Sequence, residues 1–208
     1  RDALEEFAVR SHERALAAQA DGRFDREILP LAGLTADEGP RTPDAAKIAS
    51  LDPIVPGGLH TAASASQMSD GAAALLLASE EAVRRHGLTP RARIHHLSAR
   101  GADPVMMLSA PIPATAYALD RMGLTIDDMD LVEINEAFAA QVIPSYQDLG
   151  IDIDKLNVNG SSLAAGHPFA ATGGRILATA AKLVAAEAAD HVGGTYLVRY
   201  RGNDRLQH

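Results

Sequence analysis

The strongest constraint on the fold is an alternation of strand-like and helix-like segments in the second half of the chain. The strand-like segments are short and apolar, and the segments between them repeat their apolar residues at helical spacing. Such an alternation predicts an α/β fold, in which a mixed or parallel sheet is covered by helices. The predicted order is strand 92–99, helix 113–122, strand 131–135, helix 137–148, strand 156–159, helix 172–188 and strand 195–200.

The first half of the chain is less regular. Apolar residues spaced about 3.6 apart predict an amphipathic helix that ends by Asp21-Gly22. Residues 23–56 contain several prolines and a short helix opened by Thr42-Pro43, which is typical of an irregular excursion. The run 72–78 is apolar throughout and predicts a strand buried on both faces. A further helix begins at Ser79 and ends at Gly87.

Charge and composition exclude several classes of function. The 208 residues carry a formal net charge of −8 at pH 7, which argues against nucleic acid or an anionic membrane surface as a partner. No apolar run approaches the ~20 residues of a membrane span, and the N-terminus does not resemble a signal peptide, so we expect a cytoplasmic protein. The sequence contains no cysteine, which excludes a disulfide, a zinc-thiolate site and a thiol nucleophile within these residues.

Two strand-like segments end in polar residues that could carry chemistry. One stops at Asn135-Glu136, and a second, 157–159, is followed by a glycine-containing turn and His167. Ligands of α/β sheets bind at the carboxyl ends of strands, and a histidine there suits proton transfer near neutrality. Two other interpretations stay open: Asn135 caps the next helix, and His167 is a structural histidine in a tight turn.

A third candidate is the loop 64–74, whose small and polar residues would let an extended ligand pass. A plain surface turn is the alternative. The remaining histidines considered, His60, His86, His95 and His96, show no metal-ligand spacing with carboxylates, so we predict no metal site.

Three motifs, taken in their order along the chain, resemble those of the thiolase family. They are Ser-Gln-Met-Ser-Asp-Gly-Ala-Ala-Ala at 66–74, Asn-Glu-Ala-Phe-Ala at 135–139, and Asn-Val-Asn-Gly, Gly-His-Pro and Ala-Thr-Gly-Gly-Arg-Ile within 157–176. Segments 11–28 and 37–41 also read like the loop domain of that family, and the likeness extends to about Thr195.

The resemblance implies a fold and a division of the chain. Thiolases consist of two similar halves, each with a five-stranded mixed sheet covered by helices, and a loop domain is inserted in the first half. By that analogy residues 1–56 are a remnant of the loop domain and 57–88 are the end of the N-terminal half. Residues 89–208 are then the C-terminal half with an atypical tail, and we expect a truncated thiolase-like fold.

The resemblance also implies an activity and its residues. Thiolases are acyl-CoA C-acyltransferases of fatty-acid and related lipid metabolism that make or cleave a carbon–carbon bond through an acyl group carried on cysteine. His167 matches the histidine that activates this cysteine, and Asn135 matches the residue that holds a water in the oxyanion hole. Ser66, Ala137 and Phe138 match positions along the pantetheine arm of coenzyme A. Coenzyme A and acyl-CoA would be substrates, with no covalently bound cofactor.

The sequence also departs from the family pattern. The nucleophilic cysteine belongs to the first half of a thiolase, and a second, in a Cys-x-Gly-Gly-Gly turn, should follow Tyr196, where this chain has a polar tail. Ser161-Ser162 stands where Gly-Gly or Gly-Ala is common. We therefore expect the isolated chain to be inactive and to pair with a thiolase N-terminal half or to form a homo-oligomer. The alternatives are a non-catalytic acyl-CoA-binding or thiolase-interacting remnant, and a gene product without a role.

Overall fold

Helices and short strands alternate along the chain. The structure, a computed structural model, describes residues 1–186, 191–193 and 196–199. The helices are α1 (Asp2–Ala20), α2 (Ala45–Ala49), α3 (Glu80–His86), α4 (Pro111–Met122), α5 (Ala139–Leu149), α6 (Ser162–Ala165) and α7 (Phe169–Ala186). The strands are β1 (Arg93–Ile94), β2 (Leu131–Glu133), β3 (His191–Gly193) and β4 (Tyr196–Arg199), and two 3-10 helices span Ala62–Ser64 and Ile126–Asp128.

The strands form one mixed sheet in the order β1-β3-β4-β2. β1 runs parallel to β3, and β4 is antiparallel to both of its neighbours. A mixed sheet with helices agrees with the predicted α/β class. The described residues contribute four strands to it, so the five-stranded sheet expected from the resemblance is not seen in this part of the chain.

The core lies where α1, α4 and α5 pack around β2. Acidic residues in the first turn of α1 favour its start through the helix dipole. At Gly160 the backbone adopts a φ of +70°, and a Cβ there would lie 2.9 Å from the Cβ of Ala15, so α1 approaches this turn more closely than another residue would allow. The buried apolar side chains of the core are Phe7, Ala8, Leu119, Met129, Val132, Ile134, Ala139, Val142, Ile151, Leu156 and Leu163.

The local signals for helix ends are confirmed. Ser79 accepts a hydrogen bond from the Ala82 N–H at 3.1 Å at the start of α3, and Gly87 ends that helix with a φ of +60°. The short helix placed at Thr42-Pro43 begins slightly later, where Asp44 accepts from the Lys47 N–H at 3.0 Å. None of the helices in the described ranges is long and apolar enough to cross a membrane.

Three strand predictions are wrong in whole or in part. The run 72–78 is exposed and forms no strand, because no described strand lies beside it to pair with its backbone. Segment 156–159 forms turns, although Leu156 makes an isolated parallel bridge to Val132. The strand predicted at 92–99 is limited to the two residues of β1. The predicted end of α7 at 187–188 and the tail after residue 199 lie outside the described residues.

Candidate active site

Asn157 shapes the end of β2 by imitating a neighbouring strand. Its backbone has a φ of +47°, a left-handed conformation that asparagine tolerates. Its side-chain Oδ1 accepts from the Ile134 N–H at 2.8 Å, and its Nδ2 donates to the Ile134 carbonyl at 2.8 Å. These two bonds replace the ladder that another strand would make, so the chain stays extended beyond Glu133 and carries Asn135 out of the sheet.

Glu136 holds this region to the surrounding helices from the inside. Its carboxylate is buried and accepts from Ser11 Oγ at 2.6 Å, from Asn157 Nδ2 at 2.9 Å and from the Leu163 N–H at 3.3 Å. Burial raises the pKa of Glu136, and these hydrogen bonds offset part of that rise. The carboxylate therefore ties α1, the Asn157 turn and α6 to one point behind Asn135.

Asn135 and His167 meet on the outer side of this anchor. Asn135 Nδ2 lies 3.2 Å from His167 Nε2, which is the convergence expected for two residues that follow neighbouring strand-like segments. Ser162 Oγ donates to Asn135 Oδ1 at 2.6 Å, and His167 Nδ1 lies 2.8 Å from Thr172 Oγ1. Burial lowers the pKa of His167, and the Arg175 guanidinium lowers it further. The imidazole is therefore held neutral near neutral pH.

The predicted binding residues lie beside this pair. The Ser66 N–H donates to the Ala137 carbonyl at 3.0 Å, and Ala65 forms an antiparallel bridge with Phe138. Phe138 is 40% exposed, which leaves part of its surface open to a ligand.

The loop that contains Ser66 continues directly to the histidine. The Gln67 carbonyl accepts from the His167 N–H at 2.8 Å, so the loop is held between the Asn135 and His167 segments. The structure thus brings all five predicted site residues into one region, where Phe138 is exposed, Ala137 is buried and the other three are partly buried. Their chemical roles stay predictions.

Sequence reasoning assigned no role to several residues of this region. Ser162, Thr172 and Arg175 hold the Asn135–His167 pair from behind, and Glu136 anchors its base. For Ser162 a signal was present, since Ser161-Ser162 departs from the small residues common at these positions in the resembled family. The role of Arg175 depends on a contact between α7 and α6 that no local pattern reveals.

A second buried carboxyl group belongs to Glu133, the last residue of β2. It is 1% exposed, and its Oε2 finds no hydrogen-bond partner among the described residues. Burial raises its pKa to about 8, and the Arg175 guanidinium offsets part of the effect. Glu133 is therefore protonated near neutral pH, whereas nothing in its surroundings presents it to a ligand.

The arrangement suits proton transfer next to a reacting carbonyl. A neutral imidazole with its lone pair on Nε2 can accept a proton from a thiol or a carbon acid when that group replaces the Asn135 amide as its hydrogen-bond donor. Once protonated, Nε2–H and the neighbouring amide can donate to an oxygen that gains negative charge. A histidine and an amide at this separation therefore match general-base and oxyanion chemistry.

Comparisons with known proteins point to one family. A family profile described as thiolase, C-terminal domain, matches residues 88–195, and one described as thiolase, N-terminal domain, matches residues 1–81. The steroid 3-ketoacyl-CoA thiolase FadA6 of Mycobacterium tuberculosis is 54% identical over 86% of this chain and 45% of its own length. A 3-ketoacyl-CoA thiolase of Vibrio cholerae is 45% identical over 92% of this chain and 53% of its own length.

A solved structure shows the same likeness. The human mitochondrial 3-ketoacyl-CoA thiolase in complex with CoA is similar with a TM-score of 0.86 and 33% identity, over 96% of this chain and 54% of that protein. The chain spans about half the length of the curated relatives it matches.

Proposed function

Because the chain belongs to the thiolase family, we propose that it supplies the histidine and the asparagine of an acyl-CoA C-acyltransferase active site. The observation that carries this proposal is the contact of 3.2 Å between Asn135 Nδ2 and His167 Nε2, beside the loop that contains Ser66. The names of the relatives, which are 3-ketoacyl-CoA thiolases, support acyl transfer in fatty-acid or related lipid metabolism.

His167 acts first as a base. Its Nε2 takes the proton of a cysteine thiol, and the thiolate attacks the 3-keto carbon of a 3-ketoacyl-CoA. The bond between C2 and C3 then breaks, the acyl group stays on the cysteine as a thioester, and C2 takes a proton to release acetyl-CoA. The thiol of a second coenzyme A attacks the acyl-cysteine, which gives the shortened acyl-CoA and restores the cysteine thiol.

Asn135 acts on the oxygen of the reacting thioester. A water held by its amide, together with Nε2–H of His167, donates to this oxygen as it gains negative charge. Donors of this kind contribute about 10²–10³ in rate because the charge develops only in the transition state.

Coenzyme A and acyl-CoA bind as substrates along Ser66, Ala137 and Phe138. The open side of Phe138 offers an apolar surface, and the backbone around Ser66 and Ala137 offers a path for the pantetheine arm. The CoA complex of the human mitochondrial relative supports coenzyme A as the ligand class.

The nucleophile must come from residues outside this sequence, which contains no cysteine. We assign it to a thiolase N-terminal half, in the same polypeptide or in another. By analogy with thiolases, we assign residues 1–56 to a remnant of the loop domain and 57–88 to the end of the N-terminal half. Residues 89–208 are assigned to the C-terminal half with an atypical tail. We also propose that the protein forms a homo-oligomer and is located in the cytoplasm.

One observation favours a second candidate, a non-catalytic protein that binds acyl-CoA. The 208 residues hold binding positions and a base but no thiol, so alone they could retain a ligand without turning it over.

Thiolysis of acetoacetyl-CoA distinguishes the two candidates. The 208-residue chain alone is expected to show no turnover, whereas the protein with a thiolase N-terminal half is expected to be active. In the active protein, His167→Ala should lower kcat by about 10²–10⁴ and Asn135→Ala by about 10²–10³. His86→Ala, which changes an exposed histidine on α3, is the matched control and should leave kcat unchanged.

Two results would contradict the proposal. Full activity of His167→Ala in the active protein would remove the histidine from the chemistry. Binding of acyl-CoA without thiolysis, even with the N-terminal half present, would favour the non-catalytic candidate.

A further inference from the structure

A chain of hydrogen bonds runs from α7 to the Asn135–His167 pair. Arg175 Nη2 donates to Ser162 Oγ at 3.2 Å, and Ser162 Oγ donates to Asn135 Oδ1 at 2.6 Å. Asn135 Nδ2 then faces His167 Nε2 at 3.2 Å. The Ser162 side chain is fully buried, so no solvent competes for its hydroxyl.

The direction of this chain is fixed at its first member. A guanidinium can only donate, so Ser162 Oγ accepts from Arg175 and its own proton is free to go to Asn135. Ser162 Oγ donates this proton to Asn135 Oδ1, which leaves the Asn135 NH₂ group turned toward His167. Nε2 of His167 must accept, because two donors cannot share this contact.

The hydrogen bonds on the other side of His167 give the same orientation. Thr172 Oγ1 donates to the Pro168 carbonyl at 3.0 Å, and a carbonyl can only accept. Thr172 Oγ1 is therefore left to accept from His167 Nδ1–H across 2.8 Å. Both ends place the imidazole proton on Nδ1 and the lone pair on Nε2.

From this geometry we infer that Arg175 and Ser162 are positioning residues that lock the Asn135 amide with its nitrogen toward His167 and so keep Nε2 an unprotonated acceptor. The inference rests on the proposed function only for its catalytic meaning, since the orientation of the Asn135 amide is set by the residues of this protein whatever reaction they serve. Arg175 and Ser162 do not touch the reacting atoms and act through Asn135.

The lock has a consequence for the step after proton transfer. When Nε2 takes a proton, Nε2–H and the Asn135 NH₂ group face each other as two donors. The amide cannot turn without losing the bond from Ser162, so the opposition is relieved when an acceptor oxygen joins both donors. The same lock that keeps His167 a base therefore prepares two donors for a thioester oxygen or for the water that meets it.

Ser161 provides a matched control for Ser162. Both side chains are fully buried, and Arg175 Nη2 donates to Ser161 Oγ at 3.0 Å. Only Ser162 reaches Asn135. Removing either hydroxyl takes one partner from Arg175, whereas only Ser162→Ala releases the amide. Because Gly-Ala is common at these two positions in the family, Ser162→Ala is expected to fold.

The test is an NMR titration of the His167 imidazole in the complete chain labelled with ¹⁵N histidine. The His167 signals are identified by their loss in His167→Gln, and two-bond couplings show which ring nitrogen carries the proton. In the unmodified chain we expect the Nδ1–H form near neutral pH. The charged group that acts on this ring is Arg175, which every variant in the test retains.

Ser162→Ala should raise the pKa of His167, because the freed amide can turn its oxygen toward Nε2–H and stabilise the cation. Ser161→Ala should leave the titration unchanged. An equal rise in both variants, or no rise in Ser162→Ala, would overturn the inference. If Ser162→Ala does not fold, Ser162→Gly, the other residue common at this position in the family, replaces it with the same expected rise. A dominant Nε2–H form in the unmodified chain would overturn the inference in either case. Failure of the thiolysis assay would leave these titrations unaffected.

Discussion

Two regions of the molecule reverse the usual distribution of polar and apolar side chains. In the site region, residues 131–180, the carboxyl groups of Glu133 and Glu136 are buried together with several hydroxyls and amides. In the apolar segment, residues 68–108, Leu76 is 82% exposed and Val105 is 88% exposed.

The difference teaches which part of the fold these residues specify by themselves. Burying a polar group is costly unless a partner meets it, and the site region supplies partners for Glu136 and Ser162 from α1, α6 and α7. Burial of Glu133 instead raises its pKa to about 8, which keeps it uncharged near neutral pH. The apolar segment meets no comparable surface in the described part of the chain. The residues of the site are therefore positioned by contacts within the described part of the protein. Burial of the apolar segment needs a further surface that this part does not provide.

The largest effect should come from removing the anchor of the site region. Glu136→Ala leaves the donors of Ser11, Asn157 and Leu163 without a buried acceptor, and we expect a loss of about 3–5 kcal/mol in the free energy of unfolding. Glu136→Gln keeps one acceptor oxygen and should lose less. Urea unfolding followed by circular dichroism measures both variants. A loss below about 1 kcal/mol for Glu136→Ala would show that the site region does not depend on its buried polar contacts.

An intermediate effect is expected from pH, through Glu133. Its pKa is about 8 in the folded chain against the ordinary value of 4.5, so the folded state holds a proton that the unfolded state has lost. This contribution to stability is complete below about pH 4.5 and disappears as the pH rises through about 8. Between these values the slope approaches about −1.4 kcal/mol per pH unit.

Four charged groups near Glu133 also affect its pKa. Arg175 and Arg14 oppose the rise in its pKa, and Glu136 and Glu27 add to it. The raised pKa of Glu136 gives a slope of the same sign. His12 gives the opposite sign below its ordinary value of 6.5, because its folded pKa is lowered to about 4, so the window from about pH 6.5 to 8 isolates the carboxyls.

Unfolding free energies across that window should decline with pH in the unmodified chain. The decline should weaken in Glu133→Gln, whereas Glu13→Gln, on the exposed side of α1, should not change it. An unchanged slope in Glu133→Gln would show that Glu133 is solvated and that the contrast between the two regions is smaller than described.

The smallest effect is expected in the apolar segment. Leu76→Ser replaces a side chain that meets almost nothing, so the free energy of unfolding should change by less than about 0.5 kcal/mol. Leu156→Ala, in the buried core, should cost about 2–5 kcal/mol in the same urea experiment. A cost above about 1 kcal/mol for Leu76→Ser would show that the segment is packed in solution, which would break the comparison.

Sequence reasoning succeeded where the signal is local. The helix ends at Ser79 and Gly87 follow from side-chain capping and from a left-handed backbone, both of which depend on adjacent residues. The meeting of Asn135 and His167 could be expected because each follows a segment predicted as a strand of one sheet, although only the segment before Asn135 forms one, β2. Ser66, Ala137 and Phe138 came from the family resemblance, and the structure places them together.

The failures concern contacts between distant segments. An apolar run such as 72–78 predicts burial, but whether a strand forms depends on a neighbour that the run does not encode. The position of Arg175 behind Ser162 depends on how α7 packs against α6. At 157–159 no strand forms, but Asn157 makes strand-like bonds with its side chain to Ile134 and with its backbone N–H to the Val132 carbonyl.

That asparagine also helps to close one border of the sheet. β2 pairs with β4 on one side, and on the other side Val132 bonds to the backbone of Lys155 and Asn157. One position further, the Ile134 N–H donates to Asn157 Oδ1 and the Ile134 carbonyl accepts from Asn157 Nδ2. An open strand border templates the addition of strands from other molecules, which is how ordered aggregates begin. The backbone of residues 155–157 and the Asn157 carboxamide therefore close the border next to Asn135 together. The residue that shapes the site is also a guard against fibrillar self-recruitment at that border.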